Sequence, residues 1–238
     1  MTAPIRQAVV LAGGLGSRLG TLTAETPKPL LPVGGRPFLE WVIGNLARHG
    51  VADVVLTIGY RAEAFGEWLE SRGESPDIRV TTFVEKTPLD TGGALALLGD
   101  DLDEEFFVLN GDTLFDVSLG ALAAELSGGR VAAAVALRTV DDTGRYGCVR
   151  LDGSLVTSFD EKGEAGPGLI NGGVYALRRD VLADLRAPFS IERDLMPRLV
   201  ADRRLVGLPS ESFFIDIGVP DSLEQAQQSV PRWWDDVT

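Results

Sequence analysis

Two rhythms of apolar residues run through the first 140 or so positions. Ala8-Val9-Val10-Leu11-Ala12 is an unbroken, valine-rich run that ends at Gly13-Gly14, the pattern of a strand buried on both faces and delivered into a glycine turn. Comparable runs recur at 54–58, 80–84, 106–109 and 131–137. Between them the apolar positions take helical spacing, with Phe38, Val42 and Leu46 and then Phe65, Trp68 and Leu69. Strand and helix in alternation predict βαβ crossovers, and hence an α/β fold with a Rossmann-like, doubly wound, mixed but mostly parallel sheet covered on both faces.

After Asp142 the spacing changes. Short strand-like runs at 147–151, 155–159 and 172–177 are separated by Gly, Asp and Pro instead of long helices, which predicts a small β-rich lobe. Helical spacing returns at 191–199 and 221–228, with an apolar stretch at 213–217 between them. There is no internal repeat, low-complexity tract or linker-like segment. The chain reads as one domain over residues 1–238, with a first half to about residue 140 and a second half beyond it.

Charge narrows the chemistry. Thirty-five acidic residues against 22 basic ones leave a formal net charge of −13, so nucleic acid and anionic membrane surfaces are poor partners. If the substrates are anions, the few cations must be gathered locally or helped by a divalent metal. The single cysteine, Cys148, excludes an intrachain disulfide and any cysteine-based zinc site, and the single histidine, His49, argues against Ser-His-Asp chemistry. His49 reads as a polar residue near a helix end before Gly50. No apolar segment approaches the roughly 18 residues a membrane span requires, and the expected location is cytoplasmic.

One loop concentrates the scarce positive charge. Gly13-Gly14-Leu15-Gly16-Ser17-Arg18-Leu19 follows the first strand-like run, and Pro27-Lys28-Pro29 follows it closely. A loop with few β-carbons lets backbone N–H groups approach a polyphosphate. The dinucleotide fingerprint G-x-G-x-x-G fails, because Leu19 occupies its third glycine, and no Gly-Lys-Ser/Thr follows to make a Walker loop. A glycine turn alone would be an ordinary strand-to-helix connection; Arg18 and Lys28 are what set this one apart.

These residues resemble the sugar-1-phosphate nucleotidyltransferases, in which a strand is followed by G-G-x-G-x-R-L and then by P-K-P. The likeness continues in order along the chain: Asn110-Gly111-Asp112, Phe159-Asp160-Glu161-Lys162, Ile170-Asn171-Gly172-Gly173 and Phe214-Ile215-Asp216-Ile217-Gly218 match its remaining motifs. Gly163 stands where the family has the proline of E-K-P, and Val219-Pro220 where it has Thr-Pro. The resemblance implies a GT-A-like nucleotidyltransferase fold, with a nucleotide-binding first half and a sugar-phosphate-binding second half. It implies Arg18, Lys28 and Asp112 as catalytic groups, and Asp112 and Asp216 as ligands of Mg²⁺. Leu11, Ala12, Gly13, Gly14, Gly16, Ser17, Glu85, Gly92 and Asp112 would bind the nucleotide. Gly147, Glu161, Lys162, Asn171 and Gly172 would bind the sugar phosphate. The chemistry is consistent with that set, since joining two polyanions is mainly charge neutralisation and in-line positioning, and two convergent aspartates suit a hard cation.

Glu85 lies in the stretch that borders the nucleobase in this family. A carboxylate accepts hydrogen bonds and donates none, which matches the N1–H and N2–H₂ edge of guanine; uracil or thymine would be better served by Gln. The expected nucleotide is GTP. The segments around Arg145-Tyr146-Gly147, 169–175 and 214–220 resemble most the branch of the family acting on D-glycero-D-manno-heptose 1-phosphate, so GDP-heptose and pyrophosphate are the expected products. Mannose-1-phosphate guanylyltransferase, muramate-type uridylyltransferase and glucose-1-phosphate thymidylyltransferase are the alternatives within the family. From other classes, a non-catalytic nucleotide-sugar sensor should have lost one of Arg18, Lys28, Asp112 or Asp216, and a metal-dependent glycosyltransferase should show D-x-D where Asn110-Gly111-Asp112 stands. Homo-oligomerisation is left open, and Trp233-Trp234 reads equally as an oligomer contact or as a tail tucked onto the body.

Overall fold

A computed structural model describes residues 4–14, 16–73, 75, 77–144, 147–160 and 166–238. In chain order the elements are β1 (Gln7–Leu11), the ribbon strands β2 (Pro32–Val33) and β3 (Arg36–Pro37), α1 (Phe38–Arg48), β4 (Asp53–Ile58), α2 (Ala62–Arg72), β5 (Arg79–Val84), α3 (Asp90–Leu98) and β6 (Glu105–Asn110). They continue with β7 (Thr113–Phe115), α4 (Leu119–Glu125), β8 (Ala133–Val140), β9 (Cys148–Asp152), β10 (Leu155–Asp160), β11 (Gly168–Arg178), α5 (Met196–Ala201), β12 (Leu205–Ser210), β13 (Phe214–Asp216) and α6 (Pro220–Val237).

Among the described residues nine strands form one sheet in the order β5-β4-β1-β6-β11-β8-β12-β10-β9. The first four are mutually parallel, as the alternating pattern requires. Beyond β6 the sheet turns mixed: β11 runs antiparallel to both β6 and β8, β12 is parallel to β8, and β10 is antiparallel to β12 and β9. Short turns such as the one between β9 and β10 can join only antiparallel neighbours. The β-rich second half is therefore built onto the same sheet.

Each central strand feeds two cores. Ala8 and Val10 of β1, with Phe107 and Leu109 of β6, pack on one face beneath α1, α2, α4 and α6; Val9, Phe106 and Val108 pack on the other, beneath α3 and α5. This period-2 division of near-continuous apolar runs is the signature of a sheet covered twice.

The last helix is longer than its spacing suggests, running through Pro231 to Val237. Pro231 reads as a helix breaker, but its ring packs where a methyl on Gly34 would have to sit, 2.3 Å from Pro231 Cγ. The Trp pair is tucked onto the body. Trp233 stacks on Phe213 at 5.2 Å and donates its indole N–H to Asp116 at 3.0 Å, while Trp234 meets Trp41 edge-on at 5.7 Å. His49 ends α1 as expected, half-buried beside Asp116. Among the described residues no helix is long and apolar enough to cross a membrane.

Candidate active site

The parallel strands β5, β4, β1 and β6 all point their carboxyl ends at one cleft of about 620 Å³. The chain moves outward from β1 to β4 and β5 and then returns to the other side of β1 as β6, which makes the β1/β6 boundary the topological switch point where open α/β sheets bind ligands. The residues just past each strand line the cleft: Ala12, Gly13 and Gly14 after β1, Gly59 and Tyr60 after β4, Glu85 to Leu89 after β5, and Asp112 after β6.

The two acidic positions of the sequence meet here. After β6 the chain folds into the ribbon β7, which pairs antiparallel with β13 so that Asp216 stands opposite Thr113. The N–H of Ile217 donates to the carbonyl of Asp112 at 2.9 Å. One backbone ribbon thus brings together aspartates 104 positions apart. Lys28 Nζ lies 2.7 Å from Asp112 Oδ2, both only partly exposed. Burial and the neighbouring Asp112 charge push the Asp216 carboxyl above its usual range, against the opposing pull of the Gly218 N–H, Lys28 and Arg18. A pair of carboxylates in which one raises the proton affinity of the other is poorly satisfied by the protein alone, and hard oxygen donors of this kind fit a divalent cation that draws its other ligands from water and phosphate. Among the described residues no group of three or more acidic, His or Cys side chains gathers to hold a metal unaided.

Arg18 is exposed and is not among the residues that line the cleft. It sits on the 3-10 segment Ser17–Thr23, which is anchored by Thr23 Oγ1 donating to the carbonyl of Gly16 at 3.1 Å. A methyl on Gly218 would lie 3.4 Å from its Nη2, so the guanidinium stands over the Asp216 turn. Ser17 is exposed beside it, and Gly16 takes the left-handed conformation at φ 63° that begins the segment.

Across the cleft Glu85 follows β5 and lies against the backbone of Gly13, where a methyl group would come 3.2 Å from its Oε1. Burial pushes its carboxyl up, partly offset by the Leu89 N–H donated to Oε2 at 3.3 Å. Gly13 is therefore glycine partly to make room for Glu85, while at Gly14 a methyl would meet nothing within 4 Å. Leu11, Ala12, Gly13, Gly14, Lys28, Glu85 and Asp112 share the cleft lining.

Gly92 is a correction. It lies buried in α3 with its N–H donated to the carbonyl of Phe189 at 2.9 Å, and a methyl there would come 2.1 Å from the Phe189 ring. Packing demands this glycine, and its donor is spent inside the protein. Gly172 on β11 is likewise required by packing, since a methyl would come 2.5 Å from the Phe115 ring and 2.9 Å from the Ala136 carbonyl. Asn171, two residues before Gly173, accepts that residue's N–H at 2.9 Å on Oδ1 and donates from Nδ2 to the Tyr175 hydroxyl. Gly147 is half-buried just before β9. Glu161 and Lys162 lie outside the described residues.

Sequence reasoning missed Thr57, Gly59, Tyr60, Asp90, Thr91 and Glu192 of the lining. Glu192 sits on a π-helical turn, Ile191–Leu195, which follows neither the helical nor the strand period; such turns recur at functional sites. The turn is closed reciprocally, with Ser190 Oγ accepting the Arg193 N–H at 3.2 Å and Asp194 Oδ2 accepting the Ser190 N–H at 2.7 Å. That is a capping box stretched by one residue, and the serine and aspartate were the available signal.

Comparison with known proteins agrees with this geometry. A family model described as "Nucleotidyl transferase" matches residues 7–232. The chain belongs to the nucleotidyl transferase family. It is 38% identical over 218 residues, 90% of this chain and 96% of the relative, to a D-glycero-alpha-D-manno-heptose 1-phosphate guanylyltransferase of Campylobacter jejuni. A protein of the same name from Aneurinibacillus thermoaerophilus is 33% identical over 95% of this chain and 99% of its own. Among solved structures, HddC from Yersinia pseudotuberculosis superposes with a TM-score of 0.84 at 30% identity, covering 94% of this chain and 99% of that one. The same protein complexed with GMP-PN superposes with a TM-score of 0.82.

Proposed function

We propose that the protein transfers the guanylyl group of GTP to D-glycero-D-manno-heptose 1-phosphate, giving GDP-heptose and pyrophosphate. The observation that carries this reading is the approach of Asp216 to Lys28 and Asp112, which line one side of a cleft whose other side presents Glu85 over the Gly13 backbone. The cationic and acidic groups suit a triphosphate with its metal, and the acceptor-only carboxylate suits the two donors on the guanine edge. The curated relatives named for this reaction and the relative solved with GMP-PN support the same choice of base.

In the reaction a phosphate oxygen of the sugar phosphate attacks the α-phosphorus of GTP, the bond from that phosphorus to the α–β bridging oxygen breaks, and pyrophosphate departs with the electron pair. No covalent enzyme intermediate is needed. Gly13 and Gly14 let the backbone approach the triphosphate, and Arg18 and Lys28 neutralise charge as it shifts toward the leaving group. Asp112 and Asp216 would hold a divalent cation, Mg²⁺ in our reading, which supplies further charge neutralisation and alignment of the phosphates. Lys162 is assigned to the incoming phosphate, and Glu161 and Asn171, with Gly147 and Gly172 of the same lobe, to the sugar.

The test is pyrophosphate release in Mg²⁺ from each of GTP, ATP, UTP, CTP and dTTP, crossed with heptose, mannose, glucose and N-acetylated sugar 1-phosphates. Release with GTP and heptose 1-phosphate alone is the expected result. Release with another pair would keep the mechanism and discard the base or the sugar. No release with any pair, alongside binding of a nucleotide sugar, would make the protein a sensor.

A further inference from the structure

A hydrogen-bond chain runs from the sugar-side residue Asn171 to the nucleotide cleft. Asn171 Nδ2 donates to the Tyr175 hydroxyl, and that hydroxyl donates to Glu192 Oε1 at 3.3 Å. Glu192 Oε2 receives Thr91 Oγ1 at 2.7 Å and Ser190 Oγ at 3.0 Å. Thr91 lies six residues beyond Glu85, and both Thr91 and Glu192 line the cleft. The chain therefore joins the segment that carries the base-reading carboxylate to the residue expected to contact the sugar.

Glu192 is the acceptor toward which this chain runs. The Thr91 and Ser190 hydroxyls accept backbone N–H groups from Ile191 at 2.9 Å and Arg193 at 3.2 Å and lie 3.4 Å from each other, and Glu192 Oε2 is the nearer acceptor for the Thr91 proton. Tyr175 is fully buried, and burial with the nearby Glu192 charge pushes its hydroxyl well above the ordinary tyrosine range, so it remains a donor. Glu192 accepts from the hydroxyls of Tyr175, Thr91 and Ser190 on its two oxygens, a set that a glutamine, with one acceptor oxygen, would meet only in part. At the other end Asn171 has Oδ1 engaged by the Gly173 N–H and one amide hydrogen engaged by Tyr175. Among the described residues nothing is bonded to its second amide N–H, which is the group offered to a substrate oxygen, and the chain decides where it points.

We propose that Tyr175 and Glu192 are positioning residues that aim the Asn171 amide at the sugar phosphate and tie that orientation to the nucleotide segment at Thr91. This rests on the reading of the site as a sugar-1-phosphate guanylyltransferase. Neither residue touches the reacting atoms; both act through Asn171.

The experiment is steady-state pyrophosphate release from GTP and heptose 1-phosphate by the wild type, Tyr175→Phe, Asn171→Ala and the double variant. Loss of the hydroxyl should raise the KM for the sugar phosphate by about five- to twentyfold, in the range of one buried hydrogen bond to a network with a charged acceptor. The KM for GTP should stay within about twofold, since the Thr91 contact is kept. In the Asn171→Ala background the same substitution should add little, because the two act as one unit. An unshifted sugar-phosphate KM, an equal rise in both KM values or strict additivity with Asn171→Ala would overturn the inference. Should Tyr175→Phe fail to fold, Glu192→Gln keeps the tyrosine ring and is read the same way for the sugar phosphate. Absence of wild-type turnover would overturn the functional reading and this inference with it, whereas wild-type turnover with indifferent variants would overturn this inference alone.

Discussion

Glu85 shows how far one side chain can set both specificity and stability. Its carboxyl is pressed against the Gly13 backbone and pushed up by burial, yet in the role proposed for it the group has to be ionised to receive both guanine donors. Glu85→Gln is therefore expected to raise the KM for GTP by about tenfold or more, the cost of mispairing one charged acceptor, and to improve use of UTP or dTTP; KM values across the five nucleotides check it. An unchanged profile would mean that the backbone reads the base. The pH dependence has a definite sign. Folding raises this pKa, so the folded chain holds the proton more tightly than the unfolded chain, and stability falls as pH rises through the folded value. At neutral pH Glu85→Gln should melt slightly higher than the wild type, and the gap should close on acidification. Over the same range the wild-type KM for GTP should climb at a pH above the ordinary glutamate range, a limb the variant lacks.

At the level of elements, the glycines separate two kinds of demand that look alike in sequence. Gly14 faces open space in the cleft, whereas Gly172 on β11 is closed in by Phe115 and the Ala136 carbonyl. Gly172→Ala overpacks a core where Phe115 already meets Phe214 edge-on at 5.1 Å, and is expected to cost about 1–3 kcal/mol, a melting temperature lower by about 3–10 °C. Gly14→Ala should leave the melting temperature within about 1 °C, as surface changes do, while raising the KM for GTP by blocking close approach of the phosphates. Thermal melts and kinetics on the two variants distinguish the roles, and equal melting temperatures would refute the packing assignment.

The same contrast explains what was legible. Strands β1, β4 and β6 could be read because near-continuous apolar runs ending in glycine or polar residues have few other uses, and Gly13, Gly14, Lys28, Glu85 and Asp112 could be singled out as positions that line the cleft because each follows a strand-like run or belongs to a matched motif. Gly92 could not, since nothing local reports that Phe189 occupies its missing side chain. Glu192 and Thr91 were hidden for a related reason: a π turn has no period of its own, and their partnership spans 101 positions. The reach of α6 past Pro231 was likewise hidden, because its last turns are held by the distant partners of Trp233 and Trp234.

For the molecule as a whole, the governing fact is that a chain of net charge −13 is read as joining two anions. Its cations are few at the site, and one of them, Lys28, is already engaged by Asp112 at 2.7 Å. A divalent cation then belongs to substrate recognition more than to folding. Each carboxylate keeps a partner without it, Asp112 in Lys28 and Asp216 in the Gly218 N–H, so a cation would relieve the charge between the two aspartates and supply no missing contact of the fold. Chelation with EDTA is accordingly expected to abolish pyrophosphate release and to weaken GTP binding by about tenfold or more, the scale of one lost unit of charge neutralisation at a partly buried site, with the melting temperature unchanged. Excess Mg²⁺ should restore turnover. Added to the protein alone it should raise the melting temperature little, because two carboxylates leave most of the coordination sphere to water. Calorimetry and binding in parallel decide the matter: a large fall in melting temperature on chelation would make the metal structural, and full turnover in EDTA would remove Asp112 and Asp216 from the role assigned to them.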